Sequence, residues 1–233
     1  IPDVVKQAFI SAEDQHYYEH FGVDVIGIAR AVVTNLKNLG SGRRPVGAST
    51  ITQQVAKNFL LTNETSLERK IKEAILAIRI EKAFSKTHIL ELYLNEIYLG
   101  YGSYGVASAA LNYFNKSLDE LTISDAAFLA GLPKAPNNYH PIRKPEAALI
   151  RRNYVIGRMQ EDGYLDPRTA ERARLQPIDV VDREANQVFD AAFFAEEVRR
   201  ELLDKYGESG LYEGGLAVHT TLDPEMQLQA QQA

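Results

Sequence analysis

The chain has 233 residues, 45% of them apolar, a formal net charge of −5 and no Cys. That size and composition suit a globular protein with one large domain or two small ones. The acidic balance argues against a general nucleic-acid binder, the missing Cys excludes disulfides, thiolate metal sites and a thiol nucleophile, and no apolar run approaches the ~18 residues of a bilayer span.

No signal peptide is visible, and the chain opens on Ile1, so it reads as a processed or excised form. The first element is a helix. Pro2 and Asp3 suit its start, and Val4, Val5, Ala8, Phe9 and Ala12 share one face at ~100° per residue. Glu13 falls at the edge of that stripe, while Asp14 points away from it. Desolvation at the border of an apolar face raises a carboxylate pKa, which suits a base working near neutral pH. The plainer reading makes Glu13 the last polar residue of a surface helix.

Val25, Ile28, Ala29, Val32 and Leu36 form a second amphipathic stripe, widened by Ile26 and Val33. A Gly-, Ser- and Pro-containing loop follows at Leu39–Pro45. The run Gly47-Ala48-Ser49-Thr50-Ile51-Thr52-Gln53-Gln54 offers hydroxyls and amides that can hydrogen-bond sugar or phosphate oxygens. It also reads as a helix N-terminus capped by Ser49 or Thr50 with solvated Gln side chains, and such an end itself favours anions.

Thr65-Ser66-Leu67-Glu68 fits a capping box for the next helix. There Leu67, Ile71, Ala74, Ile75 and Ile78 make one stripe, with Leu76, Ala77 and Ile80 on other faces, so its second half is expected to be buried all round. Ser85 caps a helix ending near Gly100, and further helices are predicted at about Tyr104–Phe114, Ser124–Leu132, Pro145–Asp162 and Pro167–Leu175. Beyond Pro177 the pattern changes to a short strand at Ile178, Val180 and Val181, a helix at Phe189–Leu203, and a turn and strand at Gly214–Leu222. Asp223-Pro224 opens a last helix.

Charge is unevenly spread. Lys57 to Lys86 holds seven basic and four acidic residues, and Glu161 to Glu225 sixteen acidic and seven basic. A basic stretch in an acidic protein suits a phosphate surface or, more plainly, solvated helix faces. Lys57, Arg69, Lys70 and Lys72 could neutralise a pyrophosphate, or pair along the helix, as Arg69 with Glu73. Glu13 and Glu73 are paired carboxylates of the kind used at an anomeric carbon. His20 has no second His at ligand spacing and reads as structural. A divalent ion could still sit at Glu73 or Asp14 with phosphate oxygens.

Four ordered motifs carry a resemblance. They are Glu13–Gly22, Gly47–Gln54 with Lys57-Asn58, Arg69-Lys70-x-x-Glu73, and Ile89-Leu90-Glu91-Leu92-Tyr93-Leu94-Asn95. Together they resemble the peptidoglycan glycosyltransferase domain of class A penicillin-binding proteins, glycosyltransferase family 51. The resemblance implies a mainly α, lysozyme-like bilobal fold over residues 1–176, with a membrane-facing jaw lobe at about 23–65. Residues 177–233 would be a short α/β linker and the start of a following transpeptidase domain. No Ser-x-x-Lys motif occurs, so penicillin-type chemistry is not expected of this piece.

By the same resemblance the activity is polymerisation of lipid II into β-1,4-linked glycan strands, with inversion and release of undecaprenyl pyrophosphate. Glu13 would be the general base and Glu73 the second catalytic carboxylate. Asp14, His20, Ser49, Thr50, Gln54, Lys57, Arg69 and Lys70 would bind substrate. No cofactor is required, though Mg or Mn at the pyrophosphate is compatible. The partners implied are lipid II, the growing lipid-linked strand and the outer surface of the bacterial cytoplasmic membrane, reached through an N-terminal anchor not in this sequence. Other cell-wall synthesis or regulatory proteins are compatible partners, and nucleic acid is not one. The alternatives are a lysozyme-like glycan-cleaving enzyme and a non-catalytic membrane-proximal helical module.

Two departures stand out. Tyr17 replaces the usual Phe, so its hydroxyl needs a partner. Thr65 falls where some relatives carry a basic residue assigned to phosphate contact.

Overall fold

The computed structural model describes residues 1–38, 47–60, 66–181, 191–212 and, towards the C-terminus, 216, 218, 220–223, 226–227 and 229–230. The Leu39–Pro45 loop and Thr65 lie outside the described residues, as do several residues of the expected Gly214–Leu222 strand. The chain divides into two compact units, Ile1–Val181 and Asp182–Ala233.

The first unit is helical. Its helices are α1 (Asp3–Glu13), α2 (Val25–Lys37), α3 (Ile51–Leu60), α4 (Leu67–Ala83), α5 (Lys86–Glu96), α6 (Val106–Phe114), α7 (Ile123–Gly131), α8 (Pro145–Glu161) and α9 (Pro167–Leu175). Local signals set their ends. Ser66 caps α4 by accepting from Arg69 N–H, and Ser85 caps α5 by accepting from His88 N–H. Thr122 and Asp125 form a reciprocal capping box on α7, and Pro145 and Pro167 open α8 and α9. The mainly α expectation holds. No strand is assigned among the described residues. Ile178, Val180 and Val181, expected as a short strand, instead form an irregular segment in which Val181 N–H donates to Tyr113 O at 2.8 Å. Three apolar residues with no partner strand cannot hold a ladder.

Helix α7 is the centre of the core: every residue from Ser124 to Gly131 is buried. It packs against α1 and α8, while α3 packs against α4 and α5. Arg152 is fully buried in this core. Its Nη1 donates to Ser124 Oγ and Gln176 O, its Nη2 to Arg174 O at 3.0 Å, and its Nε to Asn153 Oδ1 at 2.8 Å. One guanidinium thus ties α7, α8 and the end of α9 together.

The amphipathic stripes of α2 and α4 do not face this core. Among the residues of α2 only Ala31 is buried, and Ile26 is 72% exposed. On α4 the expected buried stripe is turned outward, with Ile71 59% exposed and Ile75 and Ile78 also open. Among the described residues of α4, Glu73 and Ala77, at 2% and 0%, are the buried ones instead. Periodicity identifies an apolar face but not what that face meets. Phe21, Val23, Val25, Ile26 and Ile78 line one mainly apolar groove, so the exposed faces of α2 and α4 are continuous.

The second unit contains α10 (Ala192–Tyr212), broken by Gly207 at φ 71°. It runs nine residues past the expected end at Leu203. No helix is long and apolar enough to cross a membrane among the described residues.

Candidate active site

The site is built where the end of α1 meets the start of α3. Thr50 precedes α3 as its N-terminal cap. Its N–H donates to Gln53 Oε1 at 3.0 Å, and its Oγ1 accepts from Gln53 N–H at 3.1 Å. Gln53 is therefore buried, not solvated. Thr50 Oγ1 also donates to Gly22 O at 2.6 Å. Gly22 has φ 89°, and a Cβ there would come within 2.7 Å of the Ala77 backbone. Only Gly lets this turn close against α4.

Asp14 completes the corner. Its Oδ2 accepts from Ile51 N–H, the first amide of α3, at 2.9 Å. Its two oxygens accept from His20 Nε2 at 2.9 and 3.0 Å. His20 Nδ1 accepts from Gly22 N–H at 3.2 Å, which assigns the proton to Nε2. Asp14, His20 and Thr50, expected to bind substrate, thus spend their hydrogen bonds on the scaffold. Thr52 donates to Glu81 Oε1 at 2.6 Å, and Lys86 pairs with the same oxygen at 2.7 Å. Tyr17 meets its need for a partner by donating to Lys86 O at 2.6 Å.

Two side chains of the motif point elsewhere. Gln54 Nε2 donates to Glu13 Oε2 at 2.9 Å, with Tyr93 OH 3.5 Å from Gln54 Oε1. Ser49 Oγ accepts from Lys70 Nζ at 2.8 Å. Glu13, Asp14, Gly47, Ser49 and Thr50 line one cleft, which continues to Tyr154 and Arg158 on α8. Glu13 Oε1 has no hydrogen bond among the described residues, and Arg151 Nη2 lies 3.6 Å from it. Burial pushes the Glu13 carboxyl above the usual carboxylate range, while the Gln54 hydrogen bond, then Arg151 and Lys134, pull it partly back.

The third motif forms a charged cluster. Glu73 Oε2 meets Arg69 Nη1 at 3.0 Å and Glu73 Oε1 meets Lys70 Nζ at 2.6 Å. The expected Arg69–Glu73 pair is therefore present, but with a buried carboxylate that pins two cations. Lys57 lies one turn past Gln54 on α3 and is exposed. Lys72 pairs with Glu68 at 2.6 Å.

A divalent ion does not fit these residues as arranged. Glu73 already carries two cations, and both Asp14 oxygens accept protein donors. Among the described residues no three His, Asp or Glu converge as metal ligands.

Sequence reasoning missed Arg151 and Arg152. A signal existed for Arg152, which lies at helical spacing with Ala148, Val155 and Met159 and so falls on the buried face of α8. Nothing local marks Arg151 as a neighbour of Glu13.

The chain matches the family model described as Transglycosylase over residues 1–160. It is 50% identical over 234 residues to penicillin-binding protein 1A of Rickettsia bellii, covering 100% of this chain and 30% of that protein. It is 47% identical to penicillin-binding protein 1A of Escherichia coli K12, covering 100% of this chain and 27% of the relative. The crystal structure of penicillin-binding protein 1A from Haemophilus influenzae is 35% identical, with a TM-score of 0.42, covering 78% of this chain and 23% of that one. The chain spans about 30% of the length of the curated relatives it matches.

Proposed function

The chain belongs to the transglycosylase family, the peptidoglycan glycosyltransferase module of class A penicillin-binding proteins, and on that premise we propose that it polymerises lipid II by base catalysis at Glu13. The observation that carries this reading is the state of that carboxylate. One oxygen is held by Gln54, the other is open at the cleft, and burial raises its affinity for a proton. A base that must take a hydroxyl proton near neutral pH needs that combination.

In the proposed reaction the growing lipid-linked strand is donor and an incoming lipid II is acceptor. Glu13 takes the proton of the acceptor 4-hydroxyl as its oxygen bonds to the donor anomeric carbon. The bond from that carbon to the phosphate oxygen breaks, and its electron pair leaves with undecaprenyl pyrophosphate. Attack opposite the leaving group gives inversion and a β-1,4 link. Lys57, Arg69 and Lys70 stabilise the charge that develops on the pyrophosphate. Glu73 holds Arg69 and Lys70 in place, so the cations are ordered before substrate arrives. Ser49 steadies Lys70. Asp14, His20 and Thr50 serve the substrate indirectly by building the corner that presents Glu13 and Gln54. The exposed apolar faces of α2 and α4, with Phe21, rest on the outer surface of the cytoplasmic membrane, which brings the cleft to its lipid-linked substrates. No step runs through a divalent cation.

The test is glycan polymer formation from purified lipid II in detergent, comparing the parent with Glu13→Gln. The expected loss is roughly 10²–10⁴-fold or more. Equal polymerisation by both chains would remove Glu13 as the base. Soluble fragments released from purified cell wall without lipid-linked substrate would favour a hydrolase instead.

A further inference from the structure

Arg151 has a built seat beside Glu13. Its Nε donates to Gly131 O, at the end of α7, at 3.1 Å. Its guanidinium lies 4.9 Å from the Tyr154 ring centre and 5.9 Å from that of Tyr139. A Cβ on Gly131 would come within 2.9 Å of Arg151 Cγ, so the glycine supplies both the acceptor and the room. Held this way, the guanidinium stops 3.6 Å short of Glu13 Oε1, outside hydrogen-bond range but close in charge. We propose that Arg151 is a positioning residue that keeps Glu13 ionised by charge alone and leaves Oε1 free to accept the substrate proton. The inference rests on Glu13 being the base.

The physical reason lies in the alternative. A bidentate Arg–carboxylate fork would stabilise the anion as well, but it would occupy the oxygen that must take the proton. An Arg fixed by a carbonyl and two rings gives the field without the bond. The charged and titratable groups that face Glu13 are Asp14 beside it, Tyr93 on α5, Lys134 in the loop after α7, and Arg151 on α8. Lys134 is exposed and screened by solvent, whereas Arg151 is 8% exposed, so Arg151 is the cation whose field survives salt. Gln54 is the only neutral donor on the carboxylate among the described residues.

The experiment is a ¹³C titration of the Glu13 carboxyl, assigned by the signal lost in Glu13→Gln. It is run on the parent, Arg151→Gln and Arg151→Lys, with the acid limb of kcat for lipid II polymerisation measured alongside. Arg151→Gln removes the charge while its amide can still reach Gly131 O. Its Glu13 midpoint should rise by roughly one pH unit or more, with the acid limb rising in step. Arg151→Lys should stay nearer the parent. An unmoved midpoint in Arg151→Gln, or equal displacement by Gln and Lys, overturns the proposal. If Glu13→Gln still polymerises, the base assignment falls, yet the carboxyl titration continues to decide what Arg151 does to Glu13. Should Arg151→Gln lose its cooperative melt, the same titration is run on Gly131→Ala, whose Cβ displaces Arg151. The midpoint must again rise, and an unmoved one refutes the idea.

Discussion

Asp14→Ala should loosen the corner at the start of α3 before it alters any contact with substrate. The carboxylate is 6% exposed and satisfies two donors, His20 Nε2 and Ile51 N–H. A hydrogen bond to a charged group contributes about 1.5–3 kcal/mol, and the donors left behind would be buried without partners. Removing both interactions should therefore cost about 3–5 kcal/mol, the range seen when one partner of a buried charged contact is deleted. Against a total of about 5–15 kcal/mol for a domain, that is a large fraction. Asp14→Asn keeps one carbonyl acceptor and should lose roughly half as much. Urea unfolding followed by helical circular dichroism measures both variants, and lipid II polymerisation at low temperature follows activity. If Asp14 is scaffold, activity falls with stability, and KM in the folded fraction is unchanged. A parent-like urea midpoint in Asp14→Ala, or a raised KM in a fully stable Asp14→Asn, would refute the reasoning and return Asp14 to the substrate.

Glu13→Gln should be inactive yet more stable than the parent at pH 7. A carboxyl whose folded pKa lies above 4.5 binds its proton more tightly in the native state than in the unfolded chain. Stability therefore falls as pH rises from 4.5 through the folded pKa, and it stays lower above it. The gain from Glu13→Gln should vanish below about pH 4, where Glu is protonated in both states. Urea midpoints at two pH values check the sign. Arg152→Ala should cost about 3 kcal/mol or more, since it removes a buried cation from the carbonyls of Arg174 and Gln176 and leaves a cavity. Calorimetry should show a Tm drop of roughly 6–12 °C. Arg152→Met, which fills the space without the hydrogen bonds, should lose less.

Much of the helical framework was legible because helix ends are local. Ser66 and Ser85 set boundaries through contacts three residues away, and Pro145 and Pro167 through their fixed φ, and the sequence carries those signals intact, whereas α7 starts one residue before the expected Ser124, capped by Thr122. The pairing of Arg69 with Glu73 was legible for the same reason. The ordered motifs marked Glu13, Gln54 and the cations as one site through resemblance, whereas their spacing alone would have left two carboxylates among many.

Tertiary structure decided which side of each pattern meets what. The stripe on α4 reads as buried, yet Ile71, Ile75 and Ile78 lie open, as Ile26 does on α2, because an apolar face is the same string whether it packs or stays exposed. Glu73 is buried on an otherwise charged helix turn, because two cations accompany it inward. Thr50 became a tie to the first turn, and Asp14 and His20 a brace, only once Gly22 brought that turn against α4. Arg151 meets Glu13 because α1, α7 and α8 pack on one another and α7 lends it the carbonyl of Gly131. The sequence determined the elements and the chemistry available, since both are written within a few residues. Burial, protonation and the division between scaffold and cleft depend on neighbours far along the chain, and those the fold alone supplied.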